Sequence, residues 1–242
     1  MINEVIQTKV NIAIMEKFRS AMELKWTKLD KGLTNLKYVI SVFDNKPIAI
    51  VKIFPNNGII SPEQRFKREK EALKIFGGTI APKLICGDNP NVIVYEYAEG
   101  KELINMRTNK DLTPLISATL TQLHNAETPL ESPSTEDVSN YYYKLIENYK
   151  SSEVSFPNKM IKELHDIVSS QEKILEENKD NLTYIHGDLV PPNFIFRNDK
   201  ICLIDWEFFR PELSYFDIEY FNYYARSHKI PFEIKIENQD IK

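Results

Sequence analysis

The side chains best suited to chemistry lie close together in the last third of the chain. Residues 184–193 read YIHGDLVPPN, and Asp205 follows a short apolar run. A carboxylate can orient or deprotonate a hydroxyl, and carboxylate and amide oxygens are suitable ligands for Mg²⁺ beside phosphates. Asp188, Asn193 and Asp205 therefore have the residue types that phosphoryl transfer from ATP requires.

A short hairpin is expected to position these groups. The β-rich runs at 193–197 and 201–206 bracket Asn198-Asp199-Lys200, which has the composition of a turn. Two strands of similar length bring the start of the first run, Asn193, close to the end of the second, Asp205. Asp188 lies five residues before Asn193 and can face them across the gap.

The N-terminal half of the chain predicts a helix followed by an antiparallel sheet. Ser61-Pro62-Glu63-Gln64 has the pattern of a capping box and predicts the start of a second helix, which Gly77-Gly78 would end. The expected elements are a helix over 3–22, strands at 35–43, 47–54, 83–86 and 91–97, and a connector at 98–100.

Helical periodicity dominates beyond the connector. Apolar residues recur at helical spacing in four segments, and the hairpin lies between the third and the fourth. These helices are expected to begin at Thr113 and Ser134, to run through 160–175, and to cover 212–226.

Several motifs together resemble one protein superfamily. His186-Gly187-Asp188-Leu189 with Asn193, followed by Ile204-Asp205-Trp206-Glu207, is similar to the catalytic signature of the aminoglycoside phosphotransferase and choline kinase superfamily. Gly32-Leu33-Thr34-Asn35 resembles the phosphate loop of its choline and thiamine kinase branch. Matching pieces occur in the same order from about Leu29 to Phe221.

The resemblance implies a two-lobed, protein-kinase-like α+β fold. The N-lobe, residues 1–97, would hold an antiparallel sheet plus a helix and bind the nucleotide. The C-lobe, residues 98–242, would be mostly helical, carry the catalytic hairpin and bind the acceptor.

The resemblance also implies a role for each matching residue. Asp188 would be the catalytic base, and Asn193 and Asp205 would bind Mg²⁺. Lys52 would contact the α- and β-phosphates and Glu69 would orient it, while the main chain of Glu96 and Tyr97 would bind adenine. The nucleotide-binding set is therefore Gly32, Thr34, Asn35, Lys52, Glu69, Glu96 and Tyr97, and Trp206 and Glu207 are the candidates for contact with the acceptor.

Taken singly, some of these residues have ordinary structural interpretations. A lysine on a strand and a glutamate in the charged run 67–71 are typical of solvent-exposed positions, and only their order ahead of Asp188 favours a nucleotide site. Aromatic residues are more often helical core, although some could hold a cation. The set considered is Tyr141, Tyr142, Tyr143, Trp206, Phe208, Phe209, Tyr215 and Tyr220.

The implied activity is transfer of the γ-phosphate of ATP to a hydroxyl of a small molecule such as choline, ethanolamine or thiamine, with Mg²⁺ as the metal ion. An aminoglycoside or sugar kinase is the alternative within the superfamily. A nucleotide-binding pseudokinase is the alternative of another class, in which the short segment after Asp205 does not complete an acceptor pocket.

Composition narrows the partners and the setting. Thirty-one Lys and Arg residues against 35 Asp and Glu give a net charge of −4, which argues against nucleic acid or an anionic membrane surface as a partner. Charges interrupt the first twenty residues, so no signal peptide or membrane span is expected there. Cys86 and Cys202 are far apart, which favours a reducing, cytoplasmic setting. Oligomeric state is left open.

Overall fold

The structure is a computed structural model, and it describes residues 3–19, 23–30, 35–57, 59–88, 91–106, 111–127, 135–151, 157–231 and 233–234. It has ten strands in these segments: β1 (Lys25–Leu29), β2 (Leu36–Val42), β3 (Lys46–Ile53), β4 (Leu84–Cys86), β5 (Val92–Glu96), β6 (Lys101–Glu102), β7 (Thr183–Ile185), β8 (Phe194–Arg197), β9 (Lys200–Leu203) and β10 (Arg210–Glu212). The helices are α1 (Glu4–Phe18), α2 (Pro62–Phe76), α3 (Thr113–His124), α4 (Thr135–Ser151), α5 (Asn158–Glu177) and α6 (Tyr215–Ser227).

The N-terminal half forms a five-stranded antiparallel sheet in the order β1-β2-β3-β5-β4. Its centre, β3, is buried over four consecutive residues because neighbouring strands and helices cover it on both faces. Helix α1 packs Val10 and Ile14 against one face, while Phe76 of α2 lies in the larger core cluster on the other. The antiparallel opening predicted from the sequence is confirmed, although β1 carries no strong strand pattern and was not predicted.

Helix α2 begins where the capping pattern predicts. The Ser61 hydroxyl accepts a hydrogen bond from the Gln64 N–H at 3.2 Å, and Pro62 occupies the first helical position. The helix ends at Phe76 as predicted, but Gly77 has a φ of −59° and the left-handed conformation falls on Gly78, at 85°. This helix matters to the site because it carries Glu69 on its buried face.

Replacement of Ser61 by alanine is expected to lower the free energy of unfolding by about 1 kcal/mol, because the Gln64 N–H loses its acceptor at the helix end. Urea unfolding followed by circular dichroism measures the change. Ser61→Asp is the matched control and should retain most of the stability, since aspartate also accepts from the first turn. A Ser61→Ala protein as stable as the parent would contradict a capping role.

The C-terminal half is mainly helical, with two small sheets, one of which contains the hairpin. Strands β8 and β9 pair antiparallel and β6 joins β8, while β7 pairs with β10. The hairpin turn places Asn198 and Asp199 at positive φ, which matches the predicted turn. Strand β9 ends at Leu203 rather than at 206, because Asp205 has a φ of 70°, in the left-handed region, and leaves the extended conformation.

One large hydrophobic cluster runs from the sheet into the helical half. It joins Phe54 and Phe76 to Leu120, Phe194 and Phe221, so the hairpin rests on the same core as the N-terminal sheet. No helix among the described residues has the length and apolar character needed to cross a membrane. The division of the chain into lobes at 97/98 stays a prediction.

Candidate active site

A buried lysine links the N-terminal sheet to the hairpin. Lys52 of β3 forms ion pairs with Glu69 of α2 and with Asp205, and the side chains of Lys52 and Glu69 are 0% and 1% exposed. Burial alone would lower the pKa of Lys52, but the charges of Asp205 and Glu69 outweigh it and hold this pKa well above its usual value. Neither residue is at the solvent-exposed position that its local sequence suggests.

A second lysine binds the same carboxylate. The Nζ of Lys37 lies 2.8 Å from Oδ2 of Asp205, whereas Lys52 binds Oδ1. Lys37 stands directly opposite Lys52 in the register of β2 and β3, so the two side chains leave the same face of the sheet. Sequence reasoning missed Lys37, because a strand of alternating residues does not show which lysine faces a site.

Asp188 lies between two hydrogen-bond donors. Asn193 donates from Nδ2 to the Asp188 carboxylate at 3.1 Å and to its main-chain oxygen at 2.9 Å, and the Tyr220 hydroxyl donates to the other carboxylate oxygen at 3.3 Å. Burial raises the pKa of Asp188 to about 6, helped by the negative charge of Asp205 and opposed by these two donors. The group is therefore a carboxylate at neutral pH and a better proton acceptor than an exposed aspartate.

The hairpin places Asn193 beside the segment that carries Asp205. The Ile204 N–H donates to the main-chain oxygen of Asn193 at 3.0 Å, which ties the start of the hairpin to the residue before Asp205. Since the Asn193 nitrogen is engaged by Asp188, its amide oxygen is the atom that can bind a cation. The sequence-predicted trio of Asp188, Asn193 and Asp205 therefore lies in one region of the structure.

Asp217 of α6 holds the segment that carries Asp188. Its buried carboxylate accepts the main-chain N–H groups of His186 at 2.8 Å and Gly187 at 2.9 Å, and it lies 3.2 Å from the Nε2 of His124. Gly187 has a φ of 80°, and a Cβ there would lie 2.5 Å from the main-chain oxygen of Phe208. Sequence reasoning did not single out Asp217, and it considered Tyr220 only as a member of the aromatic set that could hold a cation. The two residues lie one helical turn apart on α6 and so share a face toward Asp188.

His186 is buried, as expected for a structural histidine. Its Nε2 lies 3.1 Å from the main-chain oxygen of Ile204, and burial lowers its pKa. The ring therefore joins the Asp188 segment to the Asp205 segment.

Asn35 and Glu207 meet in a buried polar link. Asn35 donates to Glu207 at 2.8 Å, and Arg65 of α2 donates to Asn35 at 2.9 Å and lies 3.5 Å from Glu207. The last residue of the expected phosphate loop, Asn35, is thus tied to the segment after Asp205. Glu207 is 5% exposed and lies in this link rather than on an open acceptor surface.

Trp206 does not fit its expected contact with the acceptor. The side chain is 0% exposed, stacks on Phe76 with ring centroids 5.4 Å apart, and donates to the main-chain oxygen of Leu203 at 2.8 Å. The large apolar ring is more stable in the core than at a water-filled site, so Trp206 supports the hairpin from behind.

The N–H groups of Glu96 and Tyr97, at the end of β5, are also engaged within the protein. The Glu96 N–H donates to Lys83 at 2.9 Å and the Tyr97 N–H donates to Ile48 at 2.9 Å, so neither is available to a nucleotide. Any contact of adenine with the main chain of these two residues would have to use their carbonyl oxygens. Gly32 and Thr34 of the expected phosphate loop lie outside the described residues.

The atoms near the hairpin that could bind a metal ion are oxygen atoms. No group of three or more His, Cys, Asp or Glu side chains in the described segments is arranged to hold a metal ion by itself. A Mg²⁺ ion in a phosphoryl-transfer site commonly uses one or two protein oxygens and completes its coordination with phosphate and water. The Asp205 carboxylate and the Asn193 amide oxygen fit that smaller donor set.

Comparison with known proteins gives one family. The family model for choline/ethanolamine kinase matches residues 26–242. A protein LicA homolog of Mycoplasma capricolum is 30% identical over 195 residues, which are 80% of this chain and 70% of the relative.

Solved structures share the fold of this chain. The structure of choline kinase LicA from Streptococcus pneumoniae has a TM-score of 0.59 and 26% identity, and the match covers 90% of this chain and 74% of that one. Choline kinase from Cryptosporidium parvum has a TM-score of 0.66 and 17% identity, covering 88% and 68%. These likenesses confirm the protein-kinase-like α+β fold that the motifs imply.

Proposed function

Since the chain belongs to the choline/ethanolamine kinase family, we propose that it transfers the γ-phosphate of ATP to the hydroxyl of choline or ethanolamine. The family acts on small molecules, and the same chemistry would extend to thiamine. The observation that carries the proposal is the meeting of Lys52, Glu69 and Asp205 beside the Asp188 and Asn193 pair. A cation for phosphates and a carboxylate for a hydroxyl are the two parts that phosphoryl transfer requires.

In this proposal Lys52 binds the phosphates and Glu69 holds it in place. Glu69 is fully buried against Lys52, so the lysine keeps one carboxylate partner when Asp205 is engaged elsewhere. Asp205 and Asn193 would hold Mg²⁺, which when bound supplies positive charge that offsets the charge developing on the transferred phosphoryl group. The oxygen-only donor set supports this role.

Asp188 is the proposed base. The acceptor oxygen forms a bond to the γ-phosphorus, the bond to the bridging oxygen of ADP breaks, and the hydroxyl proton passes to the Asp188 carboxylate. Asn193 and Tyr220 fix that carboxylate from two sides, so its orientation does not depend on the acceptor. The raised pKa of Asp188, about 6, makes proton uptake easier while leaving the group ionised at neutral pH.

A panel of acceptors tests the proposal. ATP consumption is measured with choline, ethanolamine, thiamine and kanamycin in turn. The value of kcat/KM should be at least about tenfold higher for choline or ethanolamine than for kanamycin. The reason is that an acceptor which leaves polar groups of the site without hydrogen-bond partners is strongly disfavoured. Phosphorus NMR of the product should show a phosphomonoester of that acceptor.

Turnover driven mainly by kanamycin would support the aminoglycoside kinase alternative and contradict the proposal. Tight binding of Mg·ATP with no transfer to any member of a broad acceptor panel would support the pseudokinase alternative.

A cytoplasmic location, expected from the cysteine pattern, stays a prediction that fractionation of the source cells would test.

A further inference from the structure

Lys37 and Lys52 share the carboxylate of Asp205, but only Lys52 has a second carboxylate partner among the described residues. Each lysine binds one oxygen of Asp205, and the two stand opposite each other on β2 and β3. Four charges therefore alternate in a row, from Glu69 through Lys52 and Asp205 to Lys37. The row is close to neutral, which stabilises these groups in a poorly solvated place.

Binding a cation at Asp205 would disturb the two lysines differently. Lys52 retains Glu69, which is fully buried against it. Lys37, in contrast, has no other carboxylate partner within the described residues. Its side chain is 17% exposed, so it has room to move, whereas the side chain of Lys52 is 0% exposed. Lys37 is therefore the lysine that would leave Asp205.

We propose that Lys37 is a second phosphate-binding residue, which neutralises Asp205 in the empty site and transfers its charge to the nucleotide phosphates when Asp205 binds the divalent cation. The inference rests on the proposed function, because it needs a Mg·nucleotide complex as the ligand. A displaced ammonium close to a divalent cation is repelled unless an anion lies between them. The phosphates supply that anion, so Lys37 favours the arrival of metal and nucleotide together over metal alone.

This exchange predicts opposite effects on two ligands. In Lys37→Met, the Asp205 carboxylate loses a competitor, so Mn²⁺ alone should bind several-fold more tightly, as measured by electron paramagnetic resonance of free Mn²⁺. Mg·ADP should bind about tenfold more weakly by calorimetry, since a charge-assisted contact to phosphate is lost. Lys37→Arg should bind Mg·ADP nearly as well as the parent, since it keeps the charge.

A matched control separates this effect from a general change of charge. Lys28→Met removes an exposed lysine from β1 of the same sheet and should leave both affinities unchanged. Thermal unfolding of each variant checks that the fold is intact.

Two results would overturn the inference. If Lys37→Met lowers the affinity for Mn²⁺ as well as that for Mg·ADP, Lys37 only positions Asp205. If both affinities equal those of the parent, Lys37 has no part in the site. Either result leaves the proposed function standing, provided that the parent protein binds Mg·ADP and phosphorylates choline or ethanolamine. A parent protein that binds no nucleotide would overturn the proposed function itself.

Discussion

Replacing Asp188 by asparagine should lower kcat by about 10² to 10⁴-fold, because the variant cannot accept the proton of the acceptor hydroxyl. The substitution fits the local hydrogen bonds. An amide at this position can accept from Asn193 through its oxygen and donate to the Tyr220 hydroxyl, which serves equally as donor and acceptor. Mg·ADP affinity should therefore change little, since Lys52 and Asp205 keep their contacts.

Steady-state kinetics with the best acceptor and calorimetry with Mg·ADP measure the two quantities on the same preparation. Asp166→Asn is the matched control, since it makes the same chemical change at an exposed position of α5 and should leave both values unchanged. A kcat for Asp188→Asn within about tenfold of the parent would remove Asp188 from the role of base.

The sequence predicts most of the elements because their signals are local. The Ser61 cap, the turn at 198–200 and the helical periodicity of α3 and α5 each depend on residues close in the chain, and the structure confirms all of them. Strand β1 depends on pairing with β2, which supplies its hydrogen bonds, and its five residues carry no distinctive pattern. A short exposed edge strand of this kind is specified mainly by its neighbour.

The candidate site also has a part that the sequence predicts and a part that it does not. Motif order identifies Asp188, Asn193 and Asp205, and the hairpin brings the last two together through the contact of Ile204 with Asn193. The chain gives no local sign of contacts between distant elements, such as that of Lys37 with Asp205, 168 residues later.

The interpretation of Trp206 as an acceptor contact was wrong for a related reason. Its neighbours Asp205 and Glu207 are polar, but the ring turns into the core, where Phe76 is its partner. Sequence neighbours do not report which way a residue faces after a left-handed position such as Asp205.

Asp217→Ala should cost about 3 to 5 kcal/mol of unfolding free energy and also reduce kcat. The change leaves the buried N–H groups of His186 and Gly187 without an acceptor, and each such loss costs about 1 to 3 kcal/mol. His124 loses its partner as well. Since Asp188 follows Gly187 directly, a loosened segment misplaces the proposed base, and urea unfolding with acceptor kinetics measures both effects.

Asp217→Asn makes the prediction sharper, because it retains one oxygen and can satisfy only one of the two N–H groups. Its loss of stability should fall between those of the parent and Asp217→Ala, and it remains informative if the alanine variant does not fold. Glu219→Ala is the matched control, as it removes a carboxylate from an exposed position of the same helix. If Asp217→Asn and Glu219→Ala change stability by the same small amount, the carboxylate does not hold the segment, and the position of Asp188 must depend instead on Asn193 and His186.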